Sequence, residues 1–266
     1  MYDSLNLNGL VIQCDAGIAT ITLNQPEKRN VISDDPILSE LTKVFELLDT
    51  DESISVVILT GSGSAFSAGG NIEKMYNREG MFSGSTDSIE SEYIFGIQKL
   101  IAGIFCSRKV TIAAINGHAI GAGLDLALAC DLRLASRDAK LGATFLNLGL
   151  IPGDGGSWLL PRSVGWQKAS ELIFTGRIIS ADEALEMGML LSIHDSNELL
   201  EEASSLANLI ASKPKLALTY AKELLRLNSF ELKANMSKAA LMQAVLHASD
   251  EHRQLLSKFF EERKLK

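Results

Sequence analysis

Ile115-Asn116-Gly117-His118-Ala119-Ile120-Gly121-Ala122-Gly123-Leu124-Asp125-Leu126-Ala127-Leu128-Ala129-Cys130-Asp131 decides the reading of this chain. An apolar strand, Val110 to Ile115, runs into small residues and then into an apolar helix. Small residues at such a junction let a ligand approach the backbone, and the first N–H groups of the helix lack intrahelical acceptors. Asp125 follows within about one turn. A negative oxygen could thus be stabilised beside an acid/base group.

Working outward, Ile18 to Leu23 alternates with the strand period, and Ser55 to Thr60 is a near-continuous aliphatic run, as in a strand covered on both faces. Between them Ile37, Leu38, Leu41, Val44, Phe45 and Leu48 recur at helical spacing. Further alternation is read as helix 92–105, strand 110–115, helix 124–130 and strand 131–135. Strands alternating with helices predict an α/β fold. Arg78 to Glu90 lacks periodicity and reads as a mobile loop near the site, or equally as a surface insertion. Beyond residue 198 the pattern is helical: Leu199, Leu200, Ala203, Leu206, Ala207 and Ile210 share one face, and helices are predicted over 216–227 and 231–248.

Bulk properties narrow the classes. The 266 residues suffice for a large core, and 46% hydrophobic with 22% charged residues is ordinary for a globular protein. A net charge of −8 argues against nucleic acid or an anionic membrane as partner. Cys14, Cys106 and Cys130 have no metal-like spacing, and Cys14 and Cys130 read as core. With no signal-peptide pattern and no apolar stretch of membrane-spanning length, a cytoplasmic location is expected. Gly121 to Leu126 lacks the third glycine of a dinucleotide fingerprint. Ala65 to Gly69 lacks the first glycine of a nucleophile elbow. The histidines His118, His194, His247 and His252 form no triad series, and His118 reads as packing in its loop. No metal site is predicted.

The quoted stretch resembles the signature of the crotonase (enoyl-CoA hydratase/isomerase) superfamily. Asn24 to Asn30 resembles that family's early turn, Ala65 to Ile72 is similar to its first anion-hole loop, and Gly149 to Gly156 resembles a third active-site element. The resemblance implies a spiral of β-β-α units over 1–197, followed by a helical trimerisation region over 198–266. It implies an acyl-CoA substrate, no separate cofactor, and a homotrimer or hexamer. The N–H groups of Gly70 and Ala122 would receive the enolate oxygen. Asp125 would move protons; otherwise it is a dipole-favoured residue of the first turn. Phe145 falls where hydratases carry a second glutamate, and so would only line the acyl pocket. Asp154 would compensate, or else merely serve an Asp-Gly turn. Lys28 and Arg29 match positions that meet CoA phosphates, with Ser67, Ala68 and Ile72 along the adenine and pantetheine path. Lys258, Phe259 and Phe260 are further candidates for that site.

The expected function is hydration of 2-enoyl-CoA thioesters. The alternatives are 3-enoyl to 2-enoyl isomerisation with a single acid/base, and acyl-CoA binding without turnover.

Overall fold

The computed structural model describes residues 2, 5–226 and 229–264. In chain order the elements are β1 (Leu10–Asp15), β2 (Ile18–Leu23), α1 (Ile37–Thr50), β3 (Val56–Gly61), β4 (Ala65–Ser67), α2 (Ile72–Asn77), α3 (Thr86–Glu92), α4 (Gln98–Cys106), β5 (Val110–Ile115) and β6 (His118–Ile120). There follow α5 (Ala122–Ala129), β7 (Leu132–Ser136), β8 (Lys140–Gly142), α6 (Gly156–Val164), α7 (Trp166–Thr175), β9 (Ile178–Ser180), α8 (Ala181–Glu186) and β10 (Ser192–His194). Four helices complete it: α9 (Leu199–Ala211), α10 (Lys215–Leu225), α11 (Ser229–His247) and α12 (Asp250–Lys264).

Six strands form one sheet in the order β1-β2-β3-β5-β7-β10, and four form a second in the order β4-β6-β8-β9. Successive pairs β3/β4, β5/β6 and β7/β8 each give one strand to the large sheet and one to the small sheet. This is a spiral of β-β units with intervening helices, as the resemblance implied. The central strands pair in parallel, β3 with β5 and β5 with β7. Parallel strands buried on both faces explain the unbroken aliphatic runs. Leu59, Ala113 and Ile115 face a cluster shared with Leu41, Val44 and Leu48 of α1. On the opposite face Val56, Ile58, Ile112 and Ala114 meet Leu199, Ala203 and Ala207 of α9. Burying one Leu of this kind contributes about 2 kcal/mol.

Three expectations need correction. Cys14 is exposed rather than core, because β1 is the outermost strand of its sheet; Cys130 is buried as expected. His118 is exposed instead of packed. The stretch 78–90 is not a featureless loop. It contains a 3₁₀ turn, Gly80–Phe82, and most of α3, whose N-cap Ser85 accepts from the Ser88 N–H at 3.3 Å. Between α3 and α4 lies a π-helical turn, Tyr93–Ile97, with non-helical dihedrals at Gly96. Such turns recur at functional sites.

The helical region predicted from residue 198 begins one residue before α9. Its later helices fold back over their own chain, α11 against α3, α4 and α6, and α12 against α2. The helix predicted over 216–227 is α10, ending at Leu225; Leu227 lies outside the described residues. Asp131 anchors α10 to the sheet. It accepts from Thr111 N–H at 2.8 Å and pairs with Lys222 at 2.7 Å and with Arg226. Those two cations hold its carboxyl below the usual range despite burial.

Candidate active site

Two strand ends create the site. β4 of the small sheet runs into Gly69-Gly70, and its neighbour β6 runs into Gly121-Ala122. The loops touch: a Cβ on Gly69, at φ +81°, would lie 2.4 Å from the Ile120 carbonyl and 2.9 Å from the Ala122 nitrogen. Only glycine fits that approach. The first loop is held from below. Ala68 N–H donates to Arg29 O at 2.9 Å, Ser67 Oγ donates to Asn30 O at 2.7 Å, and Asn71 N–H donates to Ser33 Oγ at 2.9 Å. Gly70 N–H and Ala122 N–H, the latter the first of α5, donate to no acceptor among the described residues. Two fixed donors with the positive end of a helix dipole suit a developing oxyanion.

Gly70 and Ala122 line a cavity of about 30 Å³, whose wall also includes Tyr93, Phe145, Asp154 and Gln243. Asp154 is 3% exposed, and its Oδ1 has no hydrogen-bond partner among the described residues. Burial pushes its carboxyl up to about 7. The loop that carries it is pinned by two glutamines. Gln98 Nε2 donates to Gly153 O and to Met236 O, each at 2.8 Å, and Ile151 N–H donates to Gln243 Oε1 at 3.1 Å.

Asp125 lies in the first turn of α5 but is not in the cavity wall. Its Oδ2 accepts from Gly156 N–H, the first of α6, at 2.9 Å. A Cβ on Gly156 would lie 2.1 Å from Oδ1, so glycine is what allows this capping contact. Burial, and then the charge of Asp154, raise the Asp125 carboxyl well above the usual range.

The remaining predicted residues are distributed unequally. Phe145, in a 3₁₀ turn over Thr144–Leu148, lines the cavity and supplies no proton there. Lys28 and Arg29 are exposed on the turn after β2, and Ala68 and Ile72 are half-buried beside the first loop. Ser67 has no accessible surface; it props up the loop and cannot line a ligand path. Phe260 of α12 packs on Tyr76 of α2, ring centroids 5.0 Å apart, while Lys258 is exposed. Sequence reasoning missed Tyr93, Gln243, Met81 and Phe82 in the cavity wall. It also missed a buried series behind them, Tyr93–His247–His252. Among the described residues no group of three metal-ligating side chains occurs, and no helix is long and apolar enough to cross a membrane.

Two loops that follow strands of the small sheet, and a third that precedes α6, thus bring two backbone N–H groups and a buried carboxyl to one cavity. The enoyl-CoA hydratase/isomerase family model matches residues 13–266, and the chain belongs to that family, within the crotonase superfamily. It is 35% identical over 222 residues to the short-chain-enoyl-CoA hydratase of Clostridium acetobutylicum, covering 82% of this chain and 81% of that protein. To the 2,3-dehydroadipyl-CoA hydratase of Escherichia coli K12 it is 31% identical over 258 residues, 97% of both chains. The enoyl-CoA hydratase structure from Bacillus halodurans superposes with a TM-score of 0.87 at 27% identity, covering 94% of this chain and 100% of that one. The enoyl-CoA hydratase/isomerase from Pseudoalteromonas atlantica T6c gives 0.85 at 30% identity, covering 96% and 98%.

Proposed function

We propose that the chain hydrates 2-enoyl-CoA thioesters with Asp154 as the single proton carrier. The observation that carries this reading is the unpartnered Oδ1 of Asp154, buried in the same cavity wall as the Gly70 and Ala122 donors. Asp154 takes a proton from water as its oxygen bonds to C3. The C2=C3 electron pair moves onto the thioester oxygen, which accepts from Gly70 and Ala122 N–H. The proton then passes from Asp154 to C2 and the enolate collapses. A carboxyl near pH 7 is suited to both the base and the acid step. Asp125 supports this chemistry through its contact with Gly156 and exchanges no proton with substrate.

A second reading is 3-enoyl to 2-enoyl isomerisation. The observation favouring it is that Asp154 is the one carboxylate in the described cavity wall, with Phe145 at the other expected position. Here Asp154 removes a C2 proton and returns it at C4. Acyl-CoA is the substrate in both cases. Lys28 and Arg29 meet its phosphates, with Ala68 and Ile72 beside the pantetheine, and no separate cofactor takes part. Homotrimer or hexamer formation is supported by the exposed Leu216, Tyr220, Leu224 and Leu225 of α10. A cytoplasmic location completes the proposal.

The test is incubation with crotonyl-CoA and, separately, a 3-enoyl-CoA, with products resolved by chromatography. Formation of 3-hydroxybutyryl-CoA is expected. Conversion of the 3-enoyl substrate alone would replace hydration by isomerisation, and no reaction of either would overturn both.

A further inference from the structure

Hydration with one carboxylate leaves a geometric problem. Attacking water has two hydrogens; Asp154 takes one, and Phe145 cannot accept the other. Tyr93 lies in the same cavity wall, at the first position of the π-helical turn. Its hydroxyl is 2.8 Å from His247 Nε2. His247 Nδ1 is 3.2 Å from His252 Nε2, and His252 Nδ1 meets the Leu148 carbonyl.

The far end of this series fixes every proton in it. A carbonyl only accepts, so His252 carries its hydrogen on Nδ1. Burial lowers the pKa of both histidines, that of His247 to about 3, so both rings are neutral. Neutral His252 then accepts at Nε2, which requires the hydrogen of His247 to be on Nδ1. His247 Nε2 is left as an acceptor, and the Tyr93 hydroxyl must donate to it. The phenolic hydrogen therefore points away from the cavity. Asp154 is near enough for its charge to disfavour a phenolate, and the Gln243 amide also reaches the phenol. Tyr93 shares the cavity wall with Asp154 and Gln243, and its oxygen, with the hydrogen turned to His247, keeps acceptor capacity beyond the Gln243 contact.

We infer that Tyr93, oriented by His247 and His252, is the second acceptor that holds the attacking water, or the 3-hydroxyl in the reverse reaction, opposite Asp154. This rests on the hydration reading. Tyr93 neither gains nor loses a proton in the reaction. It fixes the second hydrogen of the water while Asp154 removes the first. A cavity of about 30 Å³ has room for such a water, which needs roughly 10–15 Å³. His247 and His252 are positioning residues, because they act only through the phenol.

Tyr93→Phe keeps the ring and removes the oxygen. Hydration of crotonyl-CoA should fall about 100-fold in kcat with KM changed less than about 3-fold. Exchange of the C2 hydrogens of butyryl-CoA in D2O, followed by NMR, needs the oxyanion donors and Asp154 but no bound water, and should stay within about 3-fold. Equal losses in both assays, or none in hydration, would overturn the inference. Histidine ¹⁵N shifts of the unsubstituted protein test the orientation without reference to turnover. Both His247 and His252 should be Nδ1–H tautomers, and an Nε2–H form of either would refute it. If the unsubstituted protein exchanges butyryl-CoA hydrogens but does not hydrate, hydration fails, and the ¹⁵N result still decides the orientation.

Discussion

Asp154→Asn offers the sharpest test because activity and stability should move in opposite directions. Asparagine keeps the size of the side chain and abolishes its proton transfer. Turnover should fall by about 10³-fold, within the range for losing a positioned acid/base. The stability effect follows from burial. Raising the carboxyl from an ordinary 3.8 to about 7, at about 1.4 kcal/mol per unit, corresponds to about 4 kcal/mol. Between those two values the folded protein binds more protons than the unfolded one. Stability therefore falls as pH rises through that window and levels off above it. The Asn variant lacks this loss. It should match the parent near pH 4 and exceed it by up to about 4 kcal/mol at pH 8, some 8 °C in Tm at about 2 °C per kcal/mol. Differential scanning at the two pH values, with the crotonyl-CoA assay, measures both quantities. A variant that keeps its turnover, or whose Tm difference from the parent is the same at pH 4 and pH 8, would refute the assignment.

Other substitutions probe neighbouring parts of the site. The kcat/KM of the parent should rise with pH through about 7, as Asp154 ionises into its base form; a flat profile from pH 6 to 8 would contradict this. Asp125→Asn can still accept from Gly156 N–H, so turnover should stay within about 10-fold, and complete loss in a folded variant would make Asp125 the proton carrier. Gly69→Ala forces a Cβ to 2.4 Å from the Ile120 carbonyl and should reduce kcat by about 10²-fold as the Gly70 donor shifts, readable in steady-state kinetics. Asp131→Asn leaves Lys222 and Arg226 buried beside a neutral partner and should cost about 3 kcal/mol in urea unfolding.

The frame of the fold was legible in the sequence where burial is extreme. β3 and β5 are covered on both faces, and α1 buries one face, so their apolar patterns are complete. α3 was invisible because Ile89 is its one buried side chain, which leaves no period to read. Cys14 misled because it follows the apolar run Leu10-Val11-Ile12, which does not reveal that β1 is an edge strand. In the site, Gly70, Ala122 and Asp154 were reached through the resemblance of their loops to the family's motifs, and the fold brings those loops to one cavity. The Tyr93–His247 contact joins residues 154 apart, and no local pattern encodes such a distance. Nor could the sequence separate Asp125 from Asp154. That distinction depends on which carboxyl the Gly156 N–H engages.

The return of α11 over the spiral has a consequence for biosynthesis. Gln243, which closes the cavity wall and pins the Asp154 loop, is translated about ninety residues after Asp154 itself. Until α11 is made, the Gly70 and Ala122 loops have no Gln243 beside them, and the wall these residues share stays incomplete. A chain ending before α11 would therefore lack one side of that cavity.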